Sequence, residues 1–134
     1  MNTVFTCGVF DLFHIGHLNF LKESKSYGNR LIIGVNSDQF TFSYKKKMPI
    51  IPFEQRIEIL KSCRYVDLVV EADEYLPLKY IKEYNVDIIT IGVEWQNIEF
   101  ESIKWAKNNN LKIIYINYTQ NVSTSYIVNK IKQS

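Results

Sequence analysis

Two histidines carry most of the chemistry that this sequence offers. The chain has only two, His14 and His17, and both lie in the segment CGVFDLFHIGH at residues 7–17, with Gly16 between them. At the start of a helix, side chains with this spacing lie on one face. Imidazoles placed there can donate hydrogen bonds to phosphate oxygens and to the charge that grows on them during a transfer reaction. The spacing therefore indicates a phosphate site with His14 and His17 as candidate catalytic residues.

The residues around the two histidines support this interpretation. Gly8 and Gly16 allow a ligand close to the backbone, and a helix that begins near Ile15 offers unpaired amides and the positive end of its dipole. Asp11 could orient the loop or approach a magnesium ion, or it could simply cap the following turn. Two histidines at a helix start are often surface or capping residues, but the preceding strand and the two glycines favour phosphate binding. Zinc is disfavoured because the sequence has no further cluster of His or Cys ligands.

The elements that must position this segment alternate along the chain. Runs rich in Val, Ile and aromatic residues predict strands at 3–10, 31–36, 66–71, 86–92 and 111–117. Apolar patterns between and after them predict helices at 15–27, 53–62, 76–84, 98–109 and 124–132. We expect an α/β fold, a Rossmann-like doubly wound five-stranded parallel sheet with helices on both faces. Ligands of such sheets bind beyond the carboxyl ends of the strands, which is where the histidine segment begins.

Composition narrows the class of protein. A length of 134 residues predicts one domain, and a net charge of +2 gives no global attraction to nucleic acid. No apolar run approaches the roughly 20 residues that span a bilayer, and the start of the chain lacks the pattern of a secretory signal. Cys7 and Cys63 are far apart, which predicts reduced thiols and a cytoplasmic location.

The segment GVFDLFHIGH resembles the HxGH signature of the nucleotidyltransferase superfamily, and specifically its cytidylyltransferase branch. The resemblance continues through RLIIGVNSDQF, KKKMPIIPFEQRIEIL, CRYVDLVV, IGVEWQ and NVSTSYIVNKI, so that it covers nearly the whole chain. In length and layout the sequence is most similar to bacterial glycerol-3-phosphate cytidylyltransferases. The resemblance implies one nucleotidyltransferase domain over residues 1–134. It also implies transfer of CMP from CTP to a small phosphorylated alcohol, best glycerol 3-phosphate, with Mg²⁺ and in a homodimer.

The same resemblance assigns roles to individual residues. It implies that the nucleotide is bound by residues in three segments, namely Gly8, Val9, Phe10, Asp11, His14, Gly16, His17, Gly92, Glu94, Trp95, Ser123 and Thr124. Lys45 is a candidate catalytic residue and, with Lys47, Arg56 and Arg64, a candidate contact of the acceptor phosphate. Asp11 is the candidate metal ligand.

Each of these assignments has a structural alternative. A run of three lysines at 45–47 is usually a solvated face, although a connection of about 15 residues at the end of a strand is a fair candidate for a lid. Arg56 could be a surface residue of a helix, and Arg64 could be structural at a dimer interface. Trp95 could belong to the core, and Ser123 or Thr124 could be no more than a helix cap.

One motif departs from the family pattern. Relatives carry RTEGIST before the last helix, whereas this chain has YTQNVST, in which Tyr118 replaces the arginine that grips the nucleotide phosphates. Two alternatives to the cytidylyltransferase therefore stay open. One is adenylyl transfer to a phosphosugar or to FMN, since the VNSD segment at 35–38 also occurs in heptose-phosphate adenylyltransferase-like sequences. The other is a nucleotide-binding module without turnover.

Overall fold

The computed structural model describes residues 2–134 and contains a five-stranded sheet covered by helices. The strands are β1 Thr3–Gly8, β2 Arg30–Asn36, β3 Leu68–Ala72, β4 Ile88–Gly92 and β5 Lys112–Ile116. The helices are α1 Ile15–Ser26, α2 Asp38–Lys45, α3 Phe53–Lys61, α4 Leu78–Glu83, α5 Glu101–Asn108 and α6 Thr124–Lys132. A single 3₁₀ turn, Val93–Trp95, follows β4.

All neighbouring strands are parallel, in the order β3-β2-β1-β4-β5. This confirms the predicted Rossmann-like fold. The order reverses between β1 and β4, so the crevice that binds ligands in this architecture lies beyond the carboxyl ends of these two strands. Along residues 2–134, no helix combines the length and the apolar character that crossing a membrane requires.

Two apolar layers hold the helices against the sheet. On one face the buried core is built around Phe5, Ile32 and Ile89 and is continued by residues of α4 and α5. On the other face Val4 and Ile33 pack with Leu21 of α1 and Leu60 of α3. Because successive residues of a strand point to opposite faces, strands buried on both sides are apolar throughout, which explains why the sequence shows them as continuous runs.

The sheet opens where the order reverses. β1 pairs with β4 only through Val4–Ile88 and Phe5–Ile89, whereas β1 and β2 pair along the whole of β1. One residue further, the hydroxyl of Thr6 donates to the carbonyl oxygen of Thr90 at 2.7 Å and so takes the place of a backbone bond. The two strands therefore separate toward their carboxyl ends, and the cleft between them faces the histidine segment.

The structure adds one helix to the predicted elements. The connection after β2, which was interpreted as a long loop and a lid candidate, contains α2. Ser37 caps this helix by accepting a hydrogen bond from the amide of Phe40 at 3.1 Å, a common use of serine before a helix. The third strand also lies slightly later than predicted, at Leu68–Ala72.

Candidate active site

The loop between β1 and α1 is held in a tight conformation. Phe10 and Leu12 both have positive φ angles, 55° and 50°, which residues with a side chain seldom adopt. The ring of Phe10 folds back against Gly8 at the end of β1. A Cβ added to Gly8 would therefore lie only 2.9 Å from that ring. Glycine at position 8 is thus needed for the path of the loop that leads to the histidines.

The rings of His14 and His17 are each fixed by a hydrogen bond from a backbone amide. His14 is the N-cap of α1, and its Nδ1 accepts a hydrogen bond from the amide of Gly16 at 3.1 Å. The amide of His14 in turn donates to Nδ1 of His17 at 3.2 Å, and the two rings stack with their centroids 3.8 Å apart. An Nδ1 that accepts a hydrogen bond carries no proton, so the hydrogen-bonding pattern assigns the proton of each neutral ring to Nε2. The sequence-based expectation that the two rings share one face is confirmed, and each ring keeps an Nε2–H donor.

The surroundings keep both imidazoles neutral. Burial lowers the pKa of His14. The pKa of His17 is lowered from 6.5 to about 3, mainly by burial and further by His14 and the ammonium group of Lys45. The rings of Phe10 and Phe13 lie 5.4 and 5.5 Å from that of His17 and supply part of this apolar environment. Near pH 7 the pair therefore acts as two neutral donors.

The absence of a side chain at Gly16 leaves space for the imidazole ring of His14. A Cβ at this position would lie 2.9 Å from Cε1 of His14 and 3.3 Å from the side chain of Val122. Any other residue would push the ring away from the amide that it caps. The segment before α6 thus packs directly on the start of α1, and Asn19 of α1 donates to the hydroxyl of Thr119 at 3.0 Å.

Asp11 anchors a distant segment. Its two carboxylate oxygens accept hydrogen bonds from the amides of Ile50 and Ile51, each at 2.8 Å, and it is buried. Its interactions differ from the predicted alternative of a cap for the following turn. They also do not fit a metal cage, because within residues 2–134 no group of three or more His, Cys, Asp or Glu side chains could hold a metal ion.

Of the three adjacent lysines, Lys45 is the one near the site. It ends α2, and its ammonium group is close enough to His17 to lower that pKa. Desolvation lowers the pKa of Lys45 itself, while the carboxylates of Asp11 and Glu94 act in the opposite direction. Lys46 is turned elsewhere, since its Nζ donates to the carbonyl of Ser43 at 3.0 Å. Lys47 is exposed, and its contact with the acceptor stays a prediction.

The prediction for Arg56 is corrected. Arg56 is 1% exposed, so it is neither a surface residue of α3 nor free to contact an acceptor. Its guanidinium donates to four oxygen atoms, which are the carbonyls of Ile51 (3.0 Å), Val9 (2.7 Å) and Asn36 (3.0 Å) and the carboxylate of Asp38 (2.6 Å). One side chain thereby ties the carboxyl ends of β1 and β2 to the segments on both sides of α2.

Arg64 also lies away from the predicted site. It stands between α3 and the beginning of β3, at the amino edge of the sheet, whereas the histidines follow the carboxyl end of β1. Its guanidinium contacts Tyr65, with Nη2 3.1 Å from the phenol oxygen. The topology thus places Arg64 at the opposite end of the strands, so a role in acceptor binding is not supported within this chain.

The end of β4 forms the other wall of the cleft. Gly92 closes β4, and the carboxylate of Glu94 folds over it so closely that a Cβ on Gly92 would collide with its oxygens. Trp95 stacks on Tyr75, with ring centroids 4.9 Å apart, and also packs against Phe100. Trp95 therefore packs partly against the core and partly lines the cleft. The contacts of Gly92, Glu94 and Trp95 with a nucleotide stay predictions.

The start of α6 closes the site from a third side. Ser123 is its N-cap and accepts from the amide of Tyr126 at 3.0 Å, as the structural alternative predicted. The hydroxyl of Thr124 donates to the carbonyl oxygen of Asp11 at 2.8 Å, which brings the amides of this helix start beside the histidine loop. Tyr118, which replaces the family arginine, is 66% exposed.

Sequence reasoning missed four residues of this region. Asp38 pairs with Arg56, Asn36 ends β2, and the rings of Tyr44 and Tyr75 pack against that of Trp95. The cap signal of Ser37 before Asp38 could have revealed α2. The contacts of Asn36, Tyr44 and Tyr75 depend on long-range packing, and no local sequence pattern indicates them.

Comparisons with known proteins agree with this geometry. A family model described as cytidylyltransferase-like matches residues 5–130. The "Bifunctional protein HldE" of Helicobacter pylori (strain HPAG1) is 36% identical over 132 residues, which are 98% of this chain and 28% of that protein. The protein of the same name from Yersinia pestis (strain Pestoides F) is 35% identical over 132 residues, 96% of this chain and 27% of that protein. The chain thus spans little more than a quarter of the length of these curated relatives.

Solved structures add two similarities. The lipopolysaccharide core biosynthesis protein from Thermoplasma volcanium GSS1 is 30% identical, with a TM-score of 0.74 over 90% of this chain and 99% of that one. Pantoate-beta-alanine ligase from Francisella tularensis, solved with beta-gamma ATP and beta-alanine, is 19% identical, with a TM-score of 0.59 over 99% of this chain and 70% of that one. The second similarity concerns the fold alone.

The role of Arg56 can be tested by removing its charge. Arg56→Met leaves the Asp38 carboxylate and three carbonyl oxygens without their donor, and we expect it to lower the free energy of unfolding by about 3 kcal/mol or more. Urea denaturation measures this change. The control Arg64→Ala removes an exposed arginine and is expected to leave the transition unchanged. Equal stability of the Arg56 variant and the parent protein would contradict the structural role.

The depressed pKa of His17 predicts a pH dependence of stability. The unfolded chain binds a proton near pH 6.5, whereas folded His17 does so only near pH 3. The contribution of His17 to the free energy of unfolding is therefore complete above pH 6.5. It is lost as the pH falls from 6.5 toward about 3. We expect the stability of the parent protein to fall between pH 7.5 and 5 by about 1–2 kcal/mol more than that of His17→Asn, measured by urea denaturation at each pH. Parallel profiles for the two proteins would be the contrary result.

Proposed function

The chain belongs to the cytidylyltransferase-like family of nucleotidyltransferases, and from this premise we propose that it transfers a nucleoside monophosphate from a nucleoside triphosphate to a small phosphorylated acceptor. The observation that carries the proposal is the pair of neutral imidazoles at the start of α1, each fixed by a hydrogen bond from a backbone amide, at the point where the strand order reverses. A helix start with free amides and two N–H donors suits a polyphosphate.

The proposed reaction is a direct displacement. A phosphate oxygen of the acceptor forms a bond to the α-phosphorus of the triphosphate, the bond from that phosphorus to the oxygen bridging to the β-phosphate breaks, and pyrophosphate leaves with the electron pair. Such a transfer needs positioning and charge stabilisation rather than covalent help from the protein. The Nε2–H groups of His14 and His17 would bind phosphate oxygens, and Lys45 would balance the charge from the side of α2.

The favoured substrate pair is ATP with a sugar phosphate. Support comes from the relatives named HldE and from the similarity to a lipopolysaccharide core biosynthesis protein. The VNSD segment, whose Asn36 ends β2, agrees with this choice because of its resemblance to heptose-phosphate adenylyltransferases.

CTP with glycerol 3-phosphate is the second candidate. The CRYVDLVV segment and the overall layout favour it through their resemblance to cytidylyltransferases, and this was the sequence-based prediction. Tyr118 in place of the family arginine weakens the argument for CTP, since a charge-assisted contact contributes roughly 1.5–3 kcal/mol. A homodimer, a cytoplasmic location and a magnesium requirement also stay predictions.

A screen of substrates tests the proposal. Pyrophosphate release is measured with ATP, CTP, GTP and UTP, each with magnesium, against glycerol 3-phosphate, ribose 5-phosphate and a set of hexose and heptose phosphates. We expect release that depends on both substrates and is fastest with ATP and a sugar phosphate. Preference for CTP and glycerol 3-phosphate would select the second candidate. Nucleotide binding without release for any pair would contradict the proposed enzyme and favour a binding module.

The lysine run offers a matched pair of variants. Lys45→Ala removes the ammonium group near His17, and we expect kcat/KM to fall about 10-fold or more, as for loss of a charge-assisted contact. Lys46→Ala changes the net charge equally but removes a group bonded to Ser43, and its kcat/KM is expected to stay within about two-fold. The same loss in both variants would show that only the overall charge of α2 matters.

A further inference from the structure

Asn36, the last residue of β2, is a buried polar side chain with an unused acceptor. It is completely buried, and its Oδ1 has no hydrogen-bond partner among the described residues. Its Nδ2 reaches the carbonyl oxygens of Ala72 and Glu74 only at 3.5 and 3.3 Å, longer than the usual 2.9–3.0 Å. A buried acceptor without a partner costs roughly 1–3 kcal/mol, so its presence calls for a reason.

The position of Asn36 connects it with the active site. Nη1 of Arg56 donates to the carbonyl oxygens of both Val9 and Asn36, so the backbone of Asn36 lies beside the start of the histidine loop. In the register of the sheet, the preceding residue Val35 pairs with Gly8. Asn36 therefore stands at the same edge of the sheet as the proposed phosphate site, one strand away from β1 on the side opposite β4.

An aromatic wall adjoins this side chain. Tyr75 directly follows the Glu74 carbonyl that Asn36 approaches, and it stacks on Trp95 at 4.9 Å. Tyr44 meets the same tryptophan edge-on at 6.4 Å. Burial raises the pKa of the Tyr75 phenol, and Cys7, Glu94 and Tyr44 raise it further, which places the phenol among these groups. Flat aromatic rings beside polar groups are a surface suited to the apolar face and the hydroxyls of a polyol.

We propose that Oδ1 of Asn36 accepts a hydrogen bond from a hydroxyl of the acceptor, so that the site selects phosphorylated polyols or sugars by a specific hydroxyl. The inference rests on the proposed function and names the substrate class of the same site. An amide oxygen only accepts hydrogen bonds, so its partner must be a donor and cannot be the phosphate. The carbonyl oxygens of Ala72 and Glu74 contact Nδ2 of Asn36 in this structure, and the proposal requires that these long bonds open when the acceptor binds.

The position of Asn36 favours a hydroxyl of the acceptor over a ribose hydroxyl of the nucleotide. Glu94, a predicted nucleotide contact, follows β4, whereas Asn36 ends β2, and β1 lies between the two strands. With the triphosphate at the start of α1, the sheet edge on the β2 side of β1 is left to the acceptor. A site built to bond a hydroxyl rejects analogues that lack it, because a buried group is then left unpaired.

The test combines a variant with deoxy acceptors. For the sugar phosphate or polyol phosphate with the highest kcat/KM, each hydroxyl is removed in turn, and every analogue is assayed with the parent protein and with Asn36→Ala. We expect one hydroxyl whose removal costs about 10-fold in kcat/KM in the parent protein and less than about two-fold in the variant, while KM for the triphosphate is unchanged. Asn36→Ser replaces the alanine variant if that one fails to fold.

Ser102 supplies the matched control. Its Oγ is the other buried atom without a partner in the described part of the chain, but it lies on α5, and Ser102→Ala should leave the response to every deoxy analogue unchanged. Losses that are equal for all acceptors, or a change only in KM for the triphosphate, would overturn the inference and indicate a buried water or a ribose contact. Absence of transfer by the parent protein with any acceptor would instead contradict the proposed function.

Discussion

The candidate site depends on one constraint, the hydrogen bonds from the backbone amides of Gly16 and His14 that fix the rings of His14 and His17 at the start of α1. Each Nδ1 is occupied by a backbone amide, which fixes the orientation of the ring and leaves the proton on Nε2. Burial keeps the rings uncharged, so they can stack 3.8 Å apart without repulsion. The residues that cap the helix are thus the same two side chains that we propose as phosphate donors, and Gly16 is required because a side chain there would displace the ring of His14.

The rest of the chain holds this pair in place. Arg56 binds carbonyl oxygens at the ends of β1 and β2, and Asp11 binds the amides of Ile50 and Ile51, so the histidine loop is fastened on both sides of α2. The early separation of β1 from β4 provides the cleft, and Thr6 satisfies the carbonyl that this separation leaves unpaired. Binding groups that are fixed before the substrate arrives cost little to organise during the reaction.

The sequence predicted the framework well because the framework depends on local patterns. All five strands are apolar runs near their predicted positions, and α6 has its predicted bounds, 124–132. The histidine loop was predicted because its spacing is itself local. Arg56 was misassigned because two of its partners are the carbonyls of Val9 and Asn36, which are distant in the sequence and leave no pattern in the residues around Arg56. The unused oxygen of Asn36 was equally hidden, since burial of a polar side chain is a property of the packed structure.

The most direct test of the central claim is the protonation of the two imidazoles in solution. Because the chain has only two histidines, ¹⁵N labelling of histidine gives one spectrum in which each ring nitrogen can be followed with pH. If the pair is fixed in this way, the His17 ring stays neutral between pH 5 and 8 and the His14 ring takes up a proton only below its usual pKa. Each neutral ring carries its proton on Nε2, and addition of a triphosphate shifts the two Nε2 resonances most. Titration of both rings near pH 6.5, or a proton on Nδ1 in either of them, would contradict this claim.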